Sequence, residues 1–215
     1  MRQRVIDWLS VQVPESRLNH ILRVEKTASE LAQRHGVAVG RAAQAGLMHD
    51  LAKNFNPTRL LEIARAESLA LDPIFELNPH LLHANVSAVI AREEFQVADG
   101  GILAAIANHT LGQPGMDDLS CTVFLADSLE PGRGDTPALQ MLREVSRQDL
   151  PKAVWMTCDY TLNQLIAAQR LIHPRALATR NWFLQSAKTG QVSQARPVEY
   201  SQTGVLKSVA TDQRS

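Results

Sequence analysis

The sequence predicts an all-α fold, a helical bundle followed by a flexible C-terminal tail. Three observations predict it. Apolar residues recur at three- and four-residue steps through nearly every segment, the spacing of one helical face. Five pairs, Asn56–Pro57, Asp72–Pro73, Asn78–Pro79, Thr136–Pro137 and His173–Pro174, put proline where a first helical turn tolerates it. Alternating runs of valine, isoleucine and threonine, the mark of strands, are missing, and there is no internal repeat.

In chain order, Ser16 is placed to cap a helix ending near Gly36, with Leu18, Ile21, Leu22, Val24, Leu31 and Ala32 on or near its buried side. Gly36 supplies the stop. The next helix, over 40–53, contains Ala42, Ala43, Ala45, Gly46 and Leu47, side chains small enough for close helix packing. Further helices are expected near 57–68, 79–95, 100–111, 118–129, 137–147, 151–170 and 174–187. Residues 1–187 form one domain on this reading. From Lys188 the composition turns to Gln, Ser, Thr and Gly with isolated valines, so 188–215 cannot assemble a core face and reads as a disordered tail.

At 215 residues the chain is long enough for a substantial core. Its 22 basic and 22 acidic residues cancel, so no overall field draws it to nucleic acid or membrane, and neither is an expected partner. An anionic substrate must therefore be gripped by a local site. No apolar run is long enough to span a membrane, and the first residues lack a signal peptide's apolar core. Cys121 and Cys158 lie in apolar segments without CxxC spacing; they read as buried, reduced thiols and fit a cytoplasmic protein.

Six residues carry the chemistry: His20, His49, Asp50, His83, His109 and Asp127. Imidazole and carboxylate together suit zinc, iron, nickel or manganese. Each of the six sits in an otherwise apolar stretch, where an unpaired polar group is costly to bury. His109 follows Ile106 by three positions and Ile102 by seven, so it shares their inward face. Asp127 ends a stripe begun by Leu119 and Val123, and a cation would neutralise its buried charge. His83 sits amid Leu81, Leu82, Val86 and Ile90, while His49 and Asp50 leave one helix in different directions but with different reach. His35 and His80 have simpler explanations, at a helix C-terminus and in a first turn.

These residues carry a resemblance. GLMHDLAK (46–53) is similar to the HD-domain signature, and the order His…HisAsp…Asp matches that superfamily's single-metal site, with His83 and His109 matching its dinuclear branch. LLHANVSA (81–88), NHTLGQPGM (108–116), FLADSLEPGRG (124–134) and LIHPRALATRN (171–181) extend the likeness over about residues 17–183. Together they resemble the symmetrical bis(5′-nucleosyl)-tetraphosphatases of bacterial HD proteins, with EPGR and HPR…RN more specific than the HD pair alone. The chain departs from that family at Ala84–Asn85, where Gly-Pro is common, and at Ala176, where threonine is common.

The resemblance implies hydrolysis of diadenosine tetraphosphate, and related dinucleoside polyphosphates, into two ADP. It implies two divalent or trivalent metal ions, iron foremost, with manganese or another transition metal as alternatives. The partner it implies is a dinucleotide substrate; assembly as a homodimer stays open. His20, His49, Asp50 and Asp127 would hold the first metal, and Asp50 would bridge to a second held also by His83 and His109. Asp50 and Lys53 are the expected catalytic residues.

Lys53 also counts among the substrate contacts, with Arg133, His173 and Arg175. Arg133 offers a planar fork suited to phosphate oxygens from the loop Glu130–Gly134. His173 and Arg175 stand at a helix N-terminus, where main-chain amides attract anions. Without the resemblance, Lys53 and Arg133 also read as solvated residues at a helix end and in a loop. Arg180 and Asn181 read as structural contacts, and Trp8, Trp155 and Trp182 as core. Rival functions are an HD phosphohydrolase of another substrate class, such as a nucleotide phosphatase, a di-iron oxygenase, and a non-catalytic nucleotide-binding module. The phosphate-directed cations argue against the oxygenase, and the complete ligand set argues against the module.

Overall fold

The computed structural model describes residues 1–189, and among them every regular element is helical. α1 (Arg2–Gln12) leads into α2 (Glu15–His35), α3 (Val39–Met48), α4 (Pro57–Ala66) and the short α5 (Pro73–Leu77). A 3-10 turn over Pro79–Leu82 precedes α6 (His83–Phe95), α7 (Gly100–Asn108) and α8 (Asp118–Leu129). A second 3-10 turn, Pro131–Arg133, precedes α9 (Pro137–Ser146), α10 (Leu150–Ala167) and α11 (Pro174–Thr189). Lys188 and Thr189, expected in the tail, belong to α11, and the rest of the expected tail, from residue 190 onward, lies outside the described residues.

The boundaries have local causes. Asn56, Asp72, Asp99, Asp117, Thr136 and Asp149 each accept first-turn amide hydrogen bonds, replacing partners that a helix start lacks. Gly36 stops α2 at φ 67°, a left-handed conformation that a side chain would strain. Ser16 does not cap α2: it lies inside the first turn, and Pro14 holds the N-cap position with extended backbone.

Three expected helices are shorter than periodicity suggested. The one from residue 79 opens as a 3-10 turn, so α6 begins at His83. Those expected to reach 53 and 111 end at Met48 and Asn108. His49–Asp50 and His109 therefore sit where helices unwind, not within them. α1 and α5 add to the expected set; α1 buries only Val5 and Leu9 and α5 only Phe75, too few positions to announce a stripe.

Packing then brings five of these helices together. α2 lies against α3 and α8, and α7 contacts α6, α8 and α3. Gly46 allows the α2–α3 approach: a Cβ there would stand 3.1 Å from Glu25 Cα and 3.3 Å from Ala28 Cβ. Ile21, Val24, Met48, Ile106, Val123 and Leu125 are fully buried, each worth about 1.5–3 kcal/mol relative to exposure. Trp8, Trp155 and Trp182 pack on this core, and Cys121 and Cys158 are buried free thiols.

α10 packs on α8 and carries α9 and α11. Thr179 of α11 donates to the Leu111 carbonyl at 3.1 Å, and Gly112, at φ 64°, leaves room for its methyl group. That contact steadies the segment just after His109. Arg180 forks onto Asp159 of α10 at 2.7 and 3.2 Å, the structural role expected of it. No described helix is long and apolar enough to cross a membrane.

Candidate metal centre

Five helices deliver six side chains to one place. His20 comes from α2, His49 and Asp50 from the end of α3, His83 from the start of α6, His109 from the end of α7 and Asp127 from the last turn of α8. His20, His49, Asp50, His83 and His109 are buried; Asp127 is partly so.

Hydrogen bonding orients the rings. Nδ1 of His49, His83 and His109 lies 2.7, 2.5 and 2.7 Å from the carbonyl oxygen three residues earlier, that of Gly46, His80 and Ile106. A carbonyl only accepts, so Nδ1 carries the proton and each neutral ring turns a bare Nε2 inward. The Nε2 atoms of His83 and His109 are 3.1 Å apart.

Asp50 stands between two groups of donors. Its Oδ2 is 3.4 Å from His49 Nε2 and 4.0 Å from His20 Nε2. Its Oδ1 is 3.3 Å from His83 Nε2 and 3.6 Å from His109 Nε2. Asp127 Oδ1 completes the first group, 3.1 Å from His20 and 3.7 Å from His49. His20 Nε2, His49 Nε2 and Asp50 Oδ1 have no hydrogen bond of acceptable geometry although buried. Ordinary hydrogen bonding leaves these lone pairs unsatisfied, which is costly in a core. Imidazole nitrogens and carboxylate oxygens that lie within 4.8 Å of one another are the donor set a transition metal takes. The residues fit metal.

The charge state agrees. Burial pushes the Asp50 carboxyl up, but the rings of His49, His109 and His83 gathered around it hold it well below the usual range. Asp127 is likewise low: burial opposes, while the His20 ring 3.1 Å away and the neighbouring His49 and Arg133 prevail. Burial lowers His109 to about 4, which keeps it neutral and able to coordinate. Burial also works against charge on His49, yet Asp50 and Asp127 raise its pKa.

Cations border the acids. Arg133 donates to the Asp127 carbonyl at 2.8 Å and to its Oδ1 at 2.5 Å. Lys53 Nζ lies 3.1 Å from His83 Nε2. The structure thus brings two of the four expected substrate contacts, Lys53 and Arg133, to the centre. His173 and Arg175 are engaged differently. His173 Nδ1 accepts from the Arg175 amide at 3.1 Å, capping α11, while its Nε2 meets Asp72 Oδ2 at 2.9 Å. Its ring packs on Phe75, and the Arg175 guanidinium lies over the same phenyl ring at 6.0 Å. Burial lowers the His173 pKa against the pull of Asp72.

Three residues at the centre escaped sequence reasoning. Arg17 donates to Asp50 Oδ2 at 3.0 Å; its place three positions before His20 was the available signal. Thr110 Oγ1 is 2.9 Å from His109 Nε2 and 3.1 Å from His83 Nε2. Glu130 is buried 3.0 Å from His20 Nδ1. Burial raises its pKa, but Arg23, His20 and the Gly132 amide bring it below the ordinary value. At the two departures from the resembled family, Asn85 Oδ1 is buried without a hydrogen bond and Ala176 packs against the core.

Comparison with known proteins adds relatives to this geometry. The HD domain family model matches residues 17–132. The symmetrical bis(5′-nucleosyl)-tetraphosphatase of Bacillus subtilis is 32% identical over 186 residues, 86% of this chain and 99% of that protein. Its namesake from Halalkalibacterium halodurans is 32% identical over 187 residues, 87% of this chain and 99% of that one. The crystal structure of a "predicted HD superfamily hydrolase involved in NAD metabolism" from Clostridium acetobutylicum superposes with a TM-score of 0.82 at 30% identity, covering 86% of this chain and 97% of the other.

Proposed function

This chain belongs to the HD domain family, and within it to the kin of the symmetrical bis(5′-nucleosyl)-tetraphosphatases, and on that premise we propose that it hydrolyses diadenosine tetraphosphate to two ADP. The observation that carries the reading is the double-faced placement of Asp50, with one oxygen toward His20 and His49 and the other toward His83 and His109. His20, His49, Asp50 and Asp127 would hold one ion. Asp50, His83 and His109 would hold a second.

Iron is the foremost candidate, with manganese or another transition metal as alternatives, because imidazole and carboxylate accept all of these. When bound, the metals would supply charge stabilisation and a nucleophile at neutral pH by lowering the pKa of water. The remaining work falls to this chain's side chains. Lys53 stands beside His83, Arg133 beside Asp127 and Arg17 beside Asp50, so positive groups border both halves of the centre. Such groups attract an anionic polyphosphate and offset its charge beside the centre. ADP is a good leaving group, so the reaction needs charge compensation more than a strong acid.

His173 and Arg175 act at one remove in this reading, fixing α11 against Asp72 and Phe75 beside the segment that bears His109. The buried reduced thiols support a cytoplasmic setting. Chromatography of the products from metal-reconstituted protein tests the function. ADP as the sole product supports it. AMP plus ATP overturns symmetrical cleavage, and inactivity on dinucleotides with brisk turnover of mononucleotides favours a nucleotide phosphatase.

A further inference from the structure

His20 differs from the other histidines of the centre in what holds its proton. His49, His83 and His109 each use a carbonyl three residues back, a partner available where a helix begins or ends. His20 lies inside α2, where main-chain carbonyls already accept helical hydrogen bonds. Its Nδ1 instead meets Oε1 of Glu130, a residue 110 positions away at the end of α8.

Glu130 is 1% exposed and tightly held. Arg23 donates through Nε to Oε2 at 2.5 Å and through Nη2 to Oε1 at 3.3 Å, and the Gly132 amide donates to Oε2 at 2.5 Å. Arg23 follows His20 by three residues, so one face of α2 presents both partners. A Cβ at position 132 would run into the Arg23 guanidinium, so glycine there lets the arginine lie across the loop. Pairing with Arg23 would by itself compensate the buried charge. It does not explain why an oxygen also faces His20.

We propose that Glu130 is a positioning residue for metal binding: it takes the Nδ1 proton of His20 and so presents the bare Nε2 toward Asp127 and Asp50, while Arg23 and Gly132 clamp the carboxylate in that orientation. The inference rests on the reading of His20 as a metal ligand. A carboxylate partner also makes the coordinating nitrogen more basic, and losing such a partner weakens metal binding by about 10–100-fold. The strength of the His20 half of the centre thus depends on a distant side chain, whereas the other histidines carry their own support.

The experiment compares wild type, Glu130→Ala, Glu130→Gln and His20→Ala as full-length chains. Manganese affinity is measured by chelator competition, and the imidazole N–H signals of the zinc-loaded proteins by nitrogen-15 NMR, with His20→Ala giving the assignment. In wild type, His20 carries its proton on Nδ1. Glu130→Ala loses or shifts that signal and weakens one manganese site by about 10–100-fold while sparing the other. Glu130→Gln, whose Oε1 still accepts, keeps the signal and loses less affinity. Coordination of His20 through Nδ1 in wild type overturns the proposal. So does Glu130→Ala binding manganese as tightly as wild type while His20→Ala does not. If His20→Ala itself binds both ions normally, the ligand reading fails first. Should Glu130→Ala not fold, the wild-type signal and the glutamine variant decide the matter.

Discussion

The Nε2 atoms of His83 and His109 face each other at 3.1 Å, while each Nδ1 is committed to a main-chain carbonyl. Two bare lone pairs at that separation repel unless something positive lies by them. Lys53 approaches the first of these atoms and Thr110 both, and a metal ion answers the requirement more completely.

Metal content follows from this relationship. Two donor groups sharing Asp50 should bind about two metals per chain. His83→Ala combined with His109→Ala should remove mainly one. Elemental analysis finding at most one metal in well-reconstituted wild type would sink the dinuclear assignment.

Asp127 and Lys53 should separate in severity. Lys53→Ala removes one electrostatic donor and should slow turnover by about 10²–10³-fold. Asp127→Ala removes a carboxylate that faces both His20 and His49, so it should be slower still and lose metal. Near wild-type turnover in Asp127→Ala would strike it from the ligand set.

Arg133 holds Asp127 through two contacts, yet its side chain is 40% exposed and can turn to substrate. Arg133→Ala should raise KM for the dinucleotide and leave metal content intact. Metal loss measured in the same variant would mean that the loop supports Asp127 and would remove the case for a phosphate contact.

The thiols supply a prediction about pH. Burial pushes Cys121 well above its ordinary value and Cys158 up to about 12. Folded protein at pH 8 should therefore resist iodoacetamide at both positions, as read by mass spectrometry, and react once unfolded. A raised folded pKa stabilises fully below the unfolded thiol value, about 8.5, and that contribution is lost as pH rises further. Tm should accordingly fall above about pH 9; prompt alkylation of native protein would contradict the burial of these side chains.

Much of the site was legible because its signals are local. The adjacent His49–Asp50, the helical register of His109 on Ile102 and Ile106, and Asp127 closing the Leu119–Val123 stripe are all readable within two turns. The helix ends were less so. Periodicity carried α3 past His49 and α7 past His109, yet both helices unwind there and each ring bonds back to its own helix. Apolar spacing reports burial, and burial continues beyond the last helical turn. His173 shows the converse limit, since a histidine before proline at a helix start reads as an anion site until Asp72 arrives from α5.

The sequence by itself determined the helical class, the capped starts at Asn56, Asp72 and Thr136, and the kinds of ligand available, since each depends on residues within a few positions of one another. Only the tertiary structure decided that Asp50 divides its oxygens between two donor groups, that Arg17 joins them, and that Glu130 reaches His20 from the far end of α8. Those relationships depend on how α2, α3, α6, α7 and α8 pack, on approaches such as the one Gly46 permits at Glu25. Side-chain distances across a core are set by the volumes of everything between them, and no local pattern along the chain encodes that sum.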